Sequence, residues 1–375
     1  MALNLLRDLI RFASVSDRPN ADVARFCGDR LLRLGFEVEE VSYADPRGVE
    51  KLNVAAVRPG RVTQTGGFAY FGHTDVVPAD RWTGPGGPFE PAVEGGCCYG
   101  RGSVDMKGSV AAMLTACGDA AHDAPVYVVL TGDEEAGMHG ADAVAERSRV
   151  FRRLVEGDAT GVIGEPTGGR VVHGHKGVAV FTAAARGRAG HSSTREGDSA
   201  TLKLIPFLTA ARELCVELES HPRWRDDRFE PPTPTPNVLI RDAAPAINVT
   251  SAEATARVLV RVSPDLDLAA IETRLREAAG GLAFSVSRPR PAVHRDPSSS
   301  AVRELCELTG GDSSTVPYGT DGSCFGDVER LVVLGPGDIA QAHTADEFIT
   351  LDDLNGGVDL YRRCLARFAG GAVSA

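Results

Sequence analysis

The sequence predicts an α/β chain in which a mostly parallel-sheet domain is interrupted by an inserted α+β domain. Three observations predict it. Up to about residue 175, short β-branched or aromatic runs alternate with helical stretches, the pattern of a sheet covered on both faces. From about Gly177 the order becomes β-α-β-β-α-β, the ferredoxin-like split unit. After Pro289-Arg290-Pro291 the helix–strand alternation returns. The expectation is a discontinuous first domain, residues 1–176 and 288–375, into which residues 177–287 are inserted. At 375 residues the chain is long for one core and comfortable for two.

Element by element, residues 1–12 are amphipathic at helical spacing, and Asp8 with the short apolar stretch does not fit a secretory signal. Residues 21–35 read as a helix closed by Gly35, and 36–43 and 51–58 as strands. Residues 68–71 form a short apolar strand running straight into His73. Then come a helix at 108–116, a buried strand at 126–130, a helix at 141–147 and a buried strand at 161–163. In the insert, residues 178–186 alternate as a half-exposed strand and 200–218 as a long amphipathic helix. A proline-rich break at 231–236 precedes strands at 237–241 and 254–262, a helix at 268–278 and a strand at 282–287. A helix at 299–308, a buried strand at 331–334 and a helix at 351–368 complete the chain.

The net charge of −11 and pI near 5.4 argue against nucleic acid or an anionic membrane surface as partner. No apolar run approaches the ~18 residues of a membrane helix. The eight cysteines lack C-x-x-C spacing, which predicts a cytoplasmic chain of reduced thiols.

Candidate chemistry concentrates in strand-end loops. Gly72-His73-Thr74-Asp75, Ser103-Val104-Asp105-Met106-Lys107-Gly108, Asp133-Glu134-Glu135, Gly164-Glu165-Pro166-Thr167 and Gln341-Ala342-His343 each offer a metal-type ligand. Ligands of open α/β sheets collect at the carboxyl ends of strands, so one site can gather them. Two histidines with three or four carboxylates are the mixed N/O set that Zn²⁺ or a similar ion accepts, and the extra carboxylate points to two ions and a base. Asp75, two residues beyond His73 on an extended segment, is placed to accept the second imidazole N–H. Taken singly, each motif has a plainer reading: a surface pair, an acidic turn, a capped loop.

In colinear order the motifs are far more specific. His73-Thr74-Asp75, Tyr99-Gly100-Arg101-Gly102 leading to Asp105, Asp133-Glu134-Glu135, Gly190-His191-Ser192-Ser193 and the late His343 together resemble the cocatalytic-zinc family. That family includes acetylornithine deacetylase, succinyl-diaminopimelate desuccinylase, aminoacylase and a glutamate-releasing carboxypeptidase. The resemblance implies a metallohydrolase catalytic domain with a ferredoxin-like lid and dimerisation domain. It implies two divalent ions, Zn²⁺ or Co²⁺, with Asp105 bridging, His73 and Glu165 on one ion, and Glu135 and His343 on the other. Glu134 is left as the catalytic carboxylate, and His191 resembles the second-domain histidine that reaches the substrate carbonyl, from the other subunit in dimeric relatives.

Asn248 and Arg261 resemble residues that hold the substrate carboxylate, although Ala243-Ala244-Pro245-Ala246-Ile247 replaces the usual glycine pair, and Arg261 also reads as a solvent-facing strand residue. Gly319 and Thr320 match a loop that lines the substrate cleft in relatives. His175-Lys176-Gly177 reads equally as structural or substrate-contacting. The residues around Glu165, His175, His191 and His343 point toward the deacetylase, hence N-acetyl-L-ornithine as substrate and arginine biosynthesis as setting. Gly319-Thr320-Asp321-Gly322 leans toward the desuccinylase. An aminoacylase or dipeptidase with the same metals stays open, as does a silent relative that only binds an acyl-amino acid or peptide.

Overall fold

The computed structural model describes residues 1–118 and 122–370. In chain order the elements are α1 (Ala2–Ile10), α2 (Ala21–Arg33), β1 (Glu37–Ala44), β2 (Glu50–Arg58), β3 (Phe68–His73), β4 (Ala92–Glu94), β5 (Cys97–Tyr99) and α3 (Lys107–Ala116). They continue with β6 (Val126–Thr131), α4 (His139–Arg147), α5 (Arg149–Glu156), β7 (Thr160–Ile163) and β8 (Val172–His175). Next come β9 (Gly177–Arg186), α6 (Ala200–Ser220), β10 (Thr235–Asp242), β11 (Glu253–Val262), α7 (Leu268–Ala279), β12 (Ala283–Val286) and β13 (Val293–His294). The last are α8 (Ser300–Thr309), β14 (Ser314–Val316), β15 (Leu331–Val333), β16 (Phe348–Thr350) and α9 (Leu351–Phe368).

These elements divide into two compact units. The first takes the described residues of Met1–Gly174, Arg295–Ser314 and Thr320–Ala375; the second takes His175–His294 and Thr315–Gly319. In the first, the strands run in the order β1-β2-β6-β3-β7-β15-β8. Strands β6, β3, β7 and β15 pair in parallel, whereas β1–β2 and β2–β6 are antiparallel. The sheet is thus parallel at its centre and antiparallel at its start. Every residue of β3, β6 and β7 is buried, because helices cover both faces. Helix α3 is buried on all sides for the same reason, packed against α1, α9 and β3.

The second unit is the split β-α-β-β-α-β arrangement, with sheet order β10-β11-β9-β12 and every neighbouring pair antiparallel. Along β9 and β11 burial alternates residue by residue. One sheet face therefore packs on α6 and α7, through Phe181, Val258, Leu204, Phe207, Leu214, Ile271 and Leu275. The proline-rich break at 231–236 is shorter than expected, since β10 takes in Pro236. A proline lacks the N–H that a central ladder needs, and β10 sits at the sheet edge, where that donor is dispensable. Helix α5 is an addition to the expected elements.

Candidate metal and catalytic site

Parallel strands that end together bring their following residues together. The register sets His73 of β3 beside Thr131 of β6, and Phe71 beside Ile163 of β7. His73 closes β3, Glu134 and Glu135 open a 3-10 turn just after β6, and Glu165 follows β7. Asp105 lies in the turn ahead of α3, and His343 in the turn ahead of β16. Gly164 admits the close approach that delivers Glu165: a Cβ there would lie 2.3 Å from Ser109 Oγ and 2.5 Å from Tyr70 Oη. Asp133 (φ 62°) and His343 (φ 63°) occupy the left-handed region. Non-glycine residues in that region cost on the order of 1–3 kcal/mol and cluster at functional sites.

The two oxygens of Asp105 face different partners. Its Oδ1 lies 3.0 Å from His73 Nε2, which is 3.6 Å from Glu165 Oε1. Its Oδ2 lies 3.2 Å from His343 Nε2, which is 2.8 Å from Glu135 Oε1. Two histidine–carboxylate pairs therefore share one carboxylate. Ligand atoms of His73, Glu134 and Glu165 lie within 4.8 Å of one another, as do those of His73, Asp105 and Glu135.

Four acidic groups against two imidazoles demand positive charge. Burial works against protonated His73, but its hydrogen bond to Asp105 and the charges of Glu165, Asp105 and Asp75 hold it well above the usual imidazole range. His343, bonded to Asp105 and Glu135, is pushed up to about 10. Burial raises the carboxyls of Glu134 and Glu165 well above the ordinary range, and that of Glu135 as well. Burial would also raise Asp105, yet the hydrogen bonds from His343 and His73 hold it far below its ordinary value. Imidazole and carboxylate donors on both sides of a shared carboxylate fit a pair of divalent ions.

Residues behind these groups hold their loops. Asp75 differs from expectation: His73 Nδ1 meets its main-chain carbonyl at 3.0 Å, while its carboxylate is farther, at 3.6 Å. That carboxylate instead accepts from Ser16 Oγ at 2.6 Å, Glu134 N at 3.2 Å and Glu135 N at 3.4 Å. It braces the Glu134–Glu135 turn rather than the imidazole. Asp133 is held by a fully buried ion pair with Lys51 at 2.8 Å and by the Tyr43 hydroxyl at 3.0 Å.

Sequence reading missed two acids here. Asp321 accepts from Thr131 Oγ1 at 2.5 Å, and its charge raises Glu134 and Glu165. Glu347, buried with Arg101, takes main-chain donors from the Asp105 turn. Asp321 stood inside a loop already singled out for Gly319 and Thr320. The only signal at Glu347 was an acid set beside apolar Phe348-Ile349.

The second unit brings His191 and Asn248 together, through a bridge between His191 and Val249 and a bond from Ser192 N to the Asn248 carbonyl at 3.0 Å. Ser193 N donates to His191 Nδ1 at 3.2 Å, which leaves the neutral ring's proton on Nε2. Arg261 is not brought to them. Glu253 pairs with Arg186 and Arg261 with Val178, so Arg261 lies at the opposite end of β11 from Asn248. Eight residue steps of strand span ~26 Å at ~3.3 Å each. One substrate carboxylate cannot touch both within one copy, so the expected Asn248–Arg261 pair fails inside the unit. Gly319 is half-buried, and Thr320 is fully buried with its hydroxyl accepting from Gly322 N at 3.1 Å. His175 is buried, its Nδ1 3.0 Å from the Lys176 carbonyl.

The chain belongs to peptidase family M20/M25/M40, which it matches over residues 69–367, and is thus a hydrolase of the metal-dependent, amide-cleaving class. It is 32% identical over 381 residues to an acetylornithine deacetylase from Myxococcus xanthus, covering 98% of this chain and 97% of that one. Among solved structures, the di-peptidase Dug1p from Saccharomyces cerevisiae is similar with a TM-score of 0.78 and 15% identity, covering 98% and 96% of the two chains. The Bacillus subtilis YXEP protein, a dinuclear metal binding peptidase, has a TM-score of 0.65 and 16% identity, covering 98% and 95%.

Proposed function

We propose that the chain is a two-metal deacylase that removes the N-acyl group from an amino acid, with N-acetyl-L-ornithine as substrate. The observation that carries this is Asp105, whose two oxygens face the His73–Glu165 pair and the His343–Glu135 pair separately. The likeness to the Myxococcus xanthus acetylornithine deacetylase over nearly the whole chain supports the substrate. When bound, a divalent pair supplies Lewis acidity toward the amide carbonyl and lowers the pKa of water. Asp105 would join the two ions, with His73 and Glu165 on one and Glu135 and His343 on the other. Zn²⁺ is the first choice, and Co²⁺ suits the same donors.

Glu134 takes the proton from the attacking water and returns it to the leaving amine nitrogen, a role supported by its place beside His73 and Glu165. Asp75 keeps Glu134 in place through the main-chain N–H that it accepts. His191, with its neutral ring's proton on Nε2, donates to the substrate carbonyl, and Asn248 beside it takes the substrate carboxylate. We further infer a two-fold homodimer formed through the inserted residues 177–287. Strand β10 is a sheet edge with Val238, Leu239 and Ile240 exposed by 37, 46 and 50%. In that dimer, Arg261 of one copy and His191 with Asn248 of the other serve one substrate.

Elemental analysis of active protein should return about two divalent ions per chain. Among N-acyl amino acids and dipeptides assayed with added Zn²⁺ or Co²⁺, N-acetyl-L-ornithine should have the highest kcat/KM. One ion or fewer with no gain on adding metal removes the two-metal reading. Faster cleavage of a succinyl substrate or a dipeptide removes the substrate assignment alone.

A further inference from the structure

We propose that Glu347 and Arg101 form a positioning pair for the half-site of Asp105, Glu135 and His343, an inference that rests on the two-ion reading above. Glu347 is 1% exposed, and its carboxylate organises a whole turn. Oε1 accepts from Val104 N at 3.0 Å and Asp105 N at 3.1 Å. Oε2 accepts from Gly102 N at 3.0 Å and Arg101 Nη1 at 2.7 Å. The Glu347 carbonyl also accepts from Gly100 N at 3.1 Å. A carboxylate has about four lone-pair sites, and four donors use them. Glu347 therefore acts as an anchor for the turn and not as a metal ligand.

The guanidinium extends the clamp to the second loop. Arg101 Nη2 donates to the Thr344 carbonyl at 3.0 Å, one residue beyond His343, and Thr83 N donates to the Ala345 carbonyl at 2.7 Å. One buried ion pair thus grips both the turn that carries Asp105 and the turn that carries His343, whose ligand atoms lie 3.2 Å apart. His343 needs that grip, because its side chain is 51% exposed and its backbone is left-handed. His73 and Glu165 depend on it less. Both are buried at ends of central parallel strands, and Gly164 locks the approach of Glu165.

Ligands must be held to within about 0.5 Å, and losing a supporting group typically weakens metal binding 10–100-fold. Glu347→Gln preserves shape but turns an –NH₂ toward two donors, whichever way the amide lies. Arg101→Met removes the link to Thr344 while leaving the carboxylate. The test titrates metal-free wild type and each variant with Zn²⁺ by calorimetry, with circular dichroism to verify folding. Wild type should bind two ions. In both variants one ion should weaken ~10–100-fold and the other by a clearly smaller factor. Two ions bound with wild-type affinities by a folded variant, or equal weakening of both ions, overturns the proposal. If Glu347→Gln does not fold, Arg101→Met alone carries the same expectation and the same overturning result. A wild type that binds fewer than two ions removes the two-ion reading itself, a result visible before any variant is made.

Discussion

Glu134 and Glu135 are chain neighbours with different surroundings, and the difference is testable. Glu135 Oε1 sits 2.8 Å from His343 Nε2, whereas Glu134 groups with His73 and Glu165 and is raised well above the ordinary carboxyl range. Glu134→Gln should keep metal content and lose ~10²–10⁴ in kcat, the usual worth of general acid–base help. Glu135→Gln should instead lower metal occupancy. Identical behaviour of the two variants in metal analysis and steady-state kinetics rejects the allotment. Both acids were legible in the sequence, because an acidic triplet after a buried strand points them to the ligand edge of the sheet. The orientation of Asp75 was not. Which oxygen meets His73 depends on the backbone path after β3, and its carboxylate is drawn away by Ser16 and two amides of a turn some sixty residues along.

Helix α5 shows how an element can escape its own sequence. Ser148 caps it, its hydroxyl accepting from Phe151 N at 3.0 Å, but a second partner comes from strand β1. Glu39 accepts from Ser148 Oγ at 2.7 Å, Val150 N at 3.0 Å and Arg149 N at 3.1 Å. A carboxylate at a helix N-terminus both satisfies free N–H groups and complements the helix dipole. Burial works to raise the Glu39 carboxyl, but these bonds outweigh it and hold it below its ordinary value. A depressed folded pKa gives stability that is present above the unfolded value, ~4.3, and is lost as pH falls through the folded one. Glu39→Gln should therefore cost ~1–2 kcal/mol at pH 7 in urea unfolding, with the gap to wild type closing below about pH 4. A gap equally wide at pH 3.5 and pH 7 defeats this account of the cap.

For the molecule as a whole, the testable question is whether copies share a site. His191→Ala should lower kcat by ~10²–10³, the usual worth of a donor to a developing oxyanion, without changing metal content. Mixed with Glu134→Gln protein, it should regain part of the activity through hybrid dimers. Monomers on sedimentation, or no rescue after verified subunit exchange, reject the shared site, and full activity in His191→Ala rejects the role. Leu239→Lys, in the middle of the β10 edge, should shift sedimentation toward monomer, because an edge charge opposes strand pairing. An unchanged dimer in that variant places the interface elsewhere.

The sequence by itself determined the long helices and strands other than α5, the parallel centre of the first sheet, the split β-α-β-β-α-β unit and the group of ligand-bearing loops. Those features rest on local regularities: a period of two or 3.6, a glycine at a turn, an acid or histidine directly after a buried strand. Only the tertiary structure decided that Glu347 and Arg101 clamp two turns, that Glu39 caps α5, and that Asp75 braces a turn rather than a ring. It alone placed His191 beside Asn248, in the turn ahead of β11, and Arg261 near the far end of that strand. In the first three cases the partners are mostly main-chain amides and carbonyls, which every residue possesses and no sequence position advertises. In the last, eight of the thirteen steps from Asn248 to Arg261 run along β11, and extended backbone converts sequence separation into distance.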